Sequence, residues 1–203
     1  MLDNDHISEV IKEVLGFRSL RQIPEEKIKR KHAGVLIPLF EMDGSCNVVF
    51  TQRTNKVTHH KGQISFPGGS FDEEDGSLEE TVLREAWEEI GLKRGDVEIL
   101  GRIDEALTLI SSFIIHPFVG LLAYPYDFVI NKAEVERIIN VPLSVFNPKN
   151  SKTKKHAVEY MGVTFRTAAY EYNDDLIWGA TARMMENFMN IVGQQLLLHN
   201  EGK

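Results

Sequence analysis

Three glutamates, Glu85, Glu88 and Glu89, fall within five residues of "REAWEEIGL", Arg84 to Leu92. Carboxylates concentrated this way, with no cysteine or histidine among them, form the hard oxygen donor set that Mg²⁺ or Mn²⁺ selects. A divalent ion held there could bridge phosphate oxygens and turn a bound water into a nucleophile at neutral pH. The same residues could also form a solvated acidic face, because like charges on an exposed helix cost only about 0.2 to 0.5 kcal/mol per pair. Three neighbours favour the cation. Gly68-Gly69 reads as a turn whose backbone can approach an ion, Arg84 can neutralise and orient an adjacent carboxylate, and few lysines interleave to relieve the repulsion.

The element that must position these groups is a helix. At about 3.6 residues per turn the glutamates lie within roughly 100° of one another, while Leu83, Ala86, Trp87 and Ile90 gather on the opposite arc. The expectation is one buried face and one carboxylate face, opened by a capping box of Ser77 and Glu80 and stopped by Gly91.

Around that helix the chain alternates. "DHISEVIKEVL", residues 5 to 15, repeats Ile7, Val10, Ile11 and Val14 at helical spacing, and "RQIPEEKIKRKH" after it reads as an exposed connector. "HAGVLIPLF" and "CNVVFTQR" are strand-like and flank an Asp-Gly turn signal, a hairpin pattern. "VEILGRID", "FIIHPFVGLLAY" and "VEYMGVTFRTAAYEY" read as further strands, and "GATARMMENFMNIVGQQLLLH" as a final helix. A mixed sheet flanked by a few helices follows, in one domain: residues 1–30 as helix and connector packing on a body of residues 31–203.

The chain has 203 residues and a formal net charge of −7, which argues against nonspecific nucleic-acid binding, for which a basic surplus is the norm. A single cysteine, Cys46, precludes an intramolecular disulfide and suits a reducing, cytoplasmic setting. The most apolar stretch, Ala106 to Ile130, is interrupted by His116, Pro117, Gly120, Pro125 and Asp127, so buried strands rather than a membrane span are expected.

"REAWEEIGL" resembles the second half of the Nudix box, matching it at every fixed position. The first half departs: counted back from Arg84, the upstream glutamate would fall at Gly76, and the nearest acid is Asp75. "FTQRTNKVTHHKGQISFPGGSFD", Phe50 to Asp72, is similar to the further signature of the coenzyme A pyrophosphatase subgroup, with Thr51, Arg53, Gly62, Phe66, Pro67, Gly68, Gly69 and Asp72 in place. Thr54 stands where that signature has Ser, and Thr58 where it has Arg. "AEVERIINVPL" and "IWGATARMM" also resemble the subgroup.

The resemblance implies an α/β fold, the Nudix α/β/α sandwich with a mixed β-sheet between helices. It implies a metal-dependent pyrophosphohydrolase that cleaves coenzyme A or acyl-CoA to 4′-phosphopantetheine, or its acyl derivative, and adenosine 3′,5′-bisphosphate. Glu85, Glu88 and Glu89, with a carbonyl of Gly69, would hold Mg²⁺ or Mn²⁺. Arg84 would pair with a helix carboxylate, and Glu85 would serve as base through a bridging water; Glu134, which reads equally as a solvated surface residue, could contribute from a later loop. ADP-ribose or another nucleoside-diphosphate-linked substrate is the alternative within the chemistry, and a noncatalytic nucleotide- or protein-binding module the alternative outside it. Arg53, Lys56, His59, His60 and Lys61 form a basic cluster suited to substrate phosphates, although the histidines could equally be a surface pair. The basic stretch "NPKNSKTKKH" reads as a solvated loop that could reach a 3′-phosphate, and Trp178, Met184 and Met185 as core. The expected partner is a small molecule, with no nucleic acid and no membrane, and a homodimer is a candidate assembly.

Overall fold

The computed structural model describes residues 3–24, 30–54, 62–108, 113–147, 156–160, 162–193 and 195–196. The first helix, α1, spans Asn4–Gly16; Asp3 caps it by accepting a hydrogen bond from the His6 amide, and Ile7 and Ile11 are fully buried. The connector after it is mostly exposed but pinned. The Arg21 and Ile23 amides donate to the carboxylates of Asp104 and Glu105 at 3.0 and 2.7 Å, and Arg18 pairs with Asp104.

The strands β1 (Lys31–Met42) and β2 (Ser45–Arg53) form the expected hairpin. Asp43 and Gly44 sit at φ 54° and 76°, the left-handed pair that a two-residue hairpin turn demands. The chain continues through β3 (Ile64–Ser65), β4 (Gly68–Ser70), α2 (Leu78–Ile90), β5 (Val97–Arg102), β6 (Ala106–Leu107), β7 (Phe113–Leu122) and β8 (Val135–Pro142). Two short hairpins follow, β9 (His156–Tyr160) with β10 (Val163–Thr167) and β11 (Ala169–Tyr172) with β12 (Asp175–Trp178), before α3 (Gly179–Phe188).

Among the described residues, eight strands form one mixed sheet along the path β3-β2-β1-β7-β5, with β4 added to β1, β6 to β7 and β8 to β2. The long pair β1 and β7 is parallel, and the other pairings of this sheet are antiparallel. Because side chains alternate along a strand, the apolar run of β1 feeds both faces. Leu36 and Phe40 pack with Val82, Leu83, Ala86 and Ile90 of α2, whereas Ile37 and Leu39 pack with Ile7 and Ile11 of α1 and with Met184, Met185 and Phe188 of α3. The sheet therefore lies between helices. Ile114, Ile115, Phe118, Val119, Leu121 and Leu122 of the apolar stretch are buried on β7, and among the described residues no helix is long and apolar enough to cross a membrane.

Three expectations need correction. Gly68-Gly69 is not a turn: the two residues are extended in β4, opposite Val35 and Gly34 of β1. The last helix is interrupted: α-helical over Gly179–Phe188, it widens to a π-helical turn over Met189–Gly193, where Met189, Val192 and Gly193 are buried, and residues 195–196 are α-helical again. Trp87 is 53% exposed rather than part of the core. The buried arc of α2 centres on Ala86, so Trp87 stands roughly 100° away from it, while Glu89, roughly 60° to the other side, falls within it. Glu89 is accordingly only 2% exposed.

Candidate active site

The sequence makes α2 begin and end sharply. Ser77 caps it by accepting from the Glu80 amide at 3.2 Å; Glu80 itself pairs with Arg94. Its C-terminus closes at Gly91, whose φ of 68° is left-handed, with the Gly91 and Leu92 amides returning to Trp87 and Ala86 carbonyls. The strap 129–131 then satisfies two more terminal carbonyls, since the Val129 amide donates to Ile90 and the Asn131 amide to Glu89. The cap thereby fixes both the helix and the residues that face its carboxylates.

Asp75 is the acid that counting left out of register. A short 3₁₀ turn, Glu73–Asp75, followed by Gly76 at φ 73°, absorbs the extra residue and turns Asp75 back toward the helix. Its two oxygens take Arg84 Nε at 2.7 Å and Nη2 at 3.0 Å, and Oδ2 also accepts from the Thr81 hydroxyl at 2.7 Å. The Arg84 guanidinium holds this buried carboxyl well down, at about 2. The same guanidinium reaches Glu85 at 2.9 Å and Glu88 at 3.0 Å, both from Nη1. Arg84 thus spans Asp75 and two of the three glutamates.

Glu85 lies against the glycine strand. A Cβ added at Gly69 would come within 2.3 Å of Glu85 Oε1, so only glycine lets the carboxylate rest there. Burial raises the Glu85 pKa, with Arg84 opposing. Glu89 is deeper still. Burial pushes its carboxyl up to about 8, while Arg53, whose Nη1 is 3.3 Å from Glu89 Oε1, pulls it down. Its second oxygen, Oε2, is buried and makes no hydrogen bond of good geometry among the described residues, and the Gly68 backbone amide also favours the charged carboxylate. Arg53 is aimed inward from the end of β2, where the ladder with β8 slips register between Gln52 and Arg53.

Glu134 completes the acidic group, because its charge raises the pKa of both Glu85 and Glu89. Its carboxylate accepts from the Asn131 side-chain amide at 3.3 Å, and its backbone carbonyl accepts from the Thr54 amide at 2.8 Å. Asn131 escaped the sequence reading. Its side chain also accepts from the Ala133 amide at 3.1 Å, and this Asx turn in "NKAE" was the available signal.

His59, His60 and Lys61 of the basic cluster, with Lys56 and Thr58, lie outside the described residues, as does most of "NPKNSKTKKH". Trp178 is half-buried, whereas Met184 and Met185 are core residues.

The donor chemistry fits a hard divalent cation: carboxylate oxygens, one of them buried without a well-formed hydrogen bond, near the two glycines of β4. Among the described residues, however, no three such side chains are gathered closely enough to hold an ion as they stand. Arg84 occupies the oxygens of Glu85 and Glu88 that face it.

The NUDIX domain family model matches residues 30–161, which include α2, the glycine strand and the Asn131–Glu134 turn. The chain belongs to the Nudix hydrolase family. Members of this family hydrolyse diphosphate bonds and generally use divalent metal ions. Relatives of this Nudix chain include the Arabidopsis thaliana protein named Nudix hydrolase 15, mitochondrial, 32% identical over 192 residues that make up 90% of this chain and 67% of the relative. A Nudix hydrolase named NudL from Photorhabdus laumondii is 34% identical over 157 residues, 76% of this chain and 81% of that protein. The peroxisomal coenzyme A diphosphatase ndx-8 of Caenorhabditis elegans is 39% identical over 131 residues, which are 63% of this chain and 55% of that one. The Nudix fold is shared with a MutT/nudix family protein from Enterococcus faecalis whose crystal structure superposes with a TM-score of 0.55 at 14% identity, over 94% of this chain and 79% of that one.

Proposed function

We propose that this Nudix hydrolase cleaves the diphosphate of coenzyme A or acyl-CoA, releasing 4′-phosphopantetheine or its acyl derivative and adenosine 3′,5′-bisphosphate. The observation that supports the reaction is Glu85 resting against Gly69, within the electrostatic reach of Glu89 and Glu134, with Arg84 held by Asp75. Support for the substrate comes from the Phe66-to-Asp72 signature and from the likeness to the Caenorhabditis elegans coenzyme A diphosphatase.

Glu85, Glu88, Glu89 and the Gly69 carbonyl are the groups that would hold Mg²⁺ or Mn²⁺. A bound ion supplies neutralisation of phosphate charge and a water acidic enough to attack phosphorus. To hold the ion, Glu85 and Glu88 would have to turn from Arg84, and Asp75 would keep the guanidinium in place. Glu89 has to give up its proton, and Arg53 favours that by standing beside it. Glu134, outside α2 and steadied by Asn131, would accept the proton of an attacking water.

Incubating the protein with Mg²⁺ or Mn²⁺ and a panel of coenzyme A, acyl-CoA, ADP-ribose and diadenosine compounds tests the reading. Turnover of coenzyme A to the two named products is expected. Fast cleavage of ADP-ribose with none of coenzyme A would overturn the substrate, an outcome that Thr58 in place of arginine makes worth measuring.

A further inference from the structure

Trp87 and Val129 leave 53% and 73% of their surface exposed, an unusual amount for two large apolar side chains that face one groove. The groove has a volume of about 660 Å³, within the range of small-molecule sites. One end is lined by Glu88 and Asn131, which belong to the candidate active site through Arg84 and Glu134. At the other end Tyr126 is fixed in place, its hydroxyl accepting from the Lys93 amide at 3.0 Å and donating to Asp96 at 2.9 Å. The groove therefore adjoins Glu88, one of the candidate metal ligands, beside the exposed Trp87 of α2.

Its charge selects what enters. Among the described residues Asp96, Asp127 and the Arg84-paired Glu88 line it, with Lys93 as the one cation. That rim repels a phosphate and is indifferent to an uncharged chain, while the indole face of Trp87 offers a broad apolar surface. Coenzyme A has one half of each kind. We propose that this groove receives the uncharged arm of the substrate, the pantetheine chain with its thiol or acyl group, and that the phosphorylated nucleoside lies on the other side of the diphosphate. The assignment rests on the coenzyme A reading and adds the determinant of acyl preference, Trp87.

The chain has two tryptophans, so a Trp178→Phe protein reports on Trp87 alone. Octanoyl-pantetheine, which has no diphosphate to cleave, should shift its emission to the blue in a saturable manner, and adenosine 3′,5′-bisphosphate should not. In the otherwise unaltered protein, Trp87→Ala should lower kcat/KM for octanoyl-CoA at least about 10-fold relative to that for ADP-ribose or another substrate lacking the arm. No emission response to octanoyl-pantetheine, or an equal response to the nucleotide, overturns the proposal, as does an unchanged selectivity ratio in Trp87→Ala. Failure of the wild-type protein to cleave any coenzyme A species would instead overturn the substrate reading beneath it.

Discussion

Arg53 Nη1 stands 3.3 Å from Glu89 Oε1, joining the end of β2 to the buried side of α2. The sequence suggested a phosphate ligand at Arg53, yet its guanidinium faces a carboxylate that is 3% exposed. Removing it would leave Glu89 buried without its counter-charge. Arg53→Ala should therefore raise the pKa of Glu89 further and move the acidic limb of the activity profile to higher pH. A pH profile of kcat/KM at fixed Mg²⁺ checks this. An unshifted limb with only a raised KM would return Arg53 to substrate binding.

Glu89→Gln should cost at least about 100-fold in rate, on the order of 3 kcal/mol in the barrier, because it removes the most deeply buried candidate ligand. Hydrolysis at the wild-type rate would contradict the metal assignment.

Glu89 also makes a statement about stability. Its carboxyl is raised in the folded protein to about 8 from an ordinary 4.5, so the folded state holds a proton that the unfolded chain has released. This contribution is fully present below about 4.5 and is lost as pH rises through about 8. In a chelator, thermal stability should fall over that window, and Glu89→Gln should flatten the fall. Adding Mg²⁺ or Mn²⁺ at pH 8 should restore stability to the wild type by mass action. Thermal melts with and without chelator measure both.

Asp75 has the opposite sign. Its folded pKa is depressed from 3.8 to about 2, so it stabilises the fold above about 4, and that contribution disappears as pH falls toward 2. Asp75→Asn should destabilise the fold at neutral pH, where the carboxylate is charged and paired with Arg84. Urea denaturation at pH 7 and pH 3 tests this: the difference between variant and wild type should shrink at the lower pH.

Gly69→Ala separates site from fold. The new methyl would meet the far end of the Glu85 side chain rather than backbone, so the carboxylate can move aside. Normal circular dichroism with a loss of activity of at least about 10-fold, and a higher metal requirement, is expected. Full activity would mean that Glu85 has no need of its place on the strand.

The residue order of "REAWEEIGL" by itself determined a capped amphipathic helix and the hard oxygen donors it carries, because helical spacing and donor type are local properties. The β1–β2 hairpin was equally legible, since Asp43-Gly44 dictates its turn. Tertiary packing decided the rest. Which carboxylate is buried depends on where the sheet meets α2, and a few tens of degrees put Glu89 inside and Trp87 outside. Asp75 looked misplaced by one residue until a 3₁₀ turn brought it onto Arg84. Gly68-Gly69 carries no mark of a strand, and only pairing with β1 gives it that geometry and sets it beneath Glu85. Arg53, Glu89 and Glu134 come from segments far apart in the chain, and their mutual charges exist only once the sheet has brought them together.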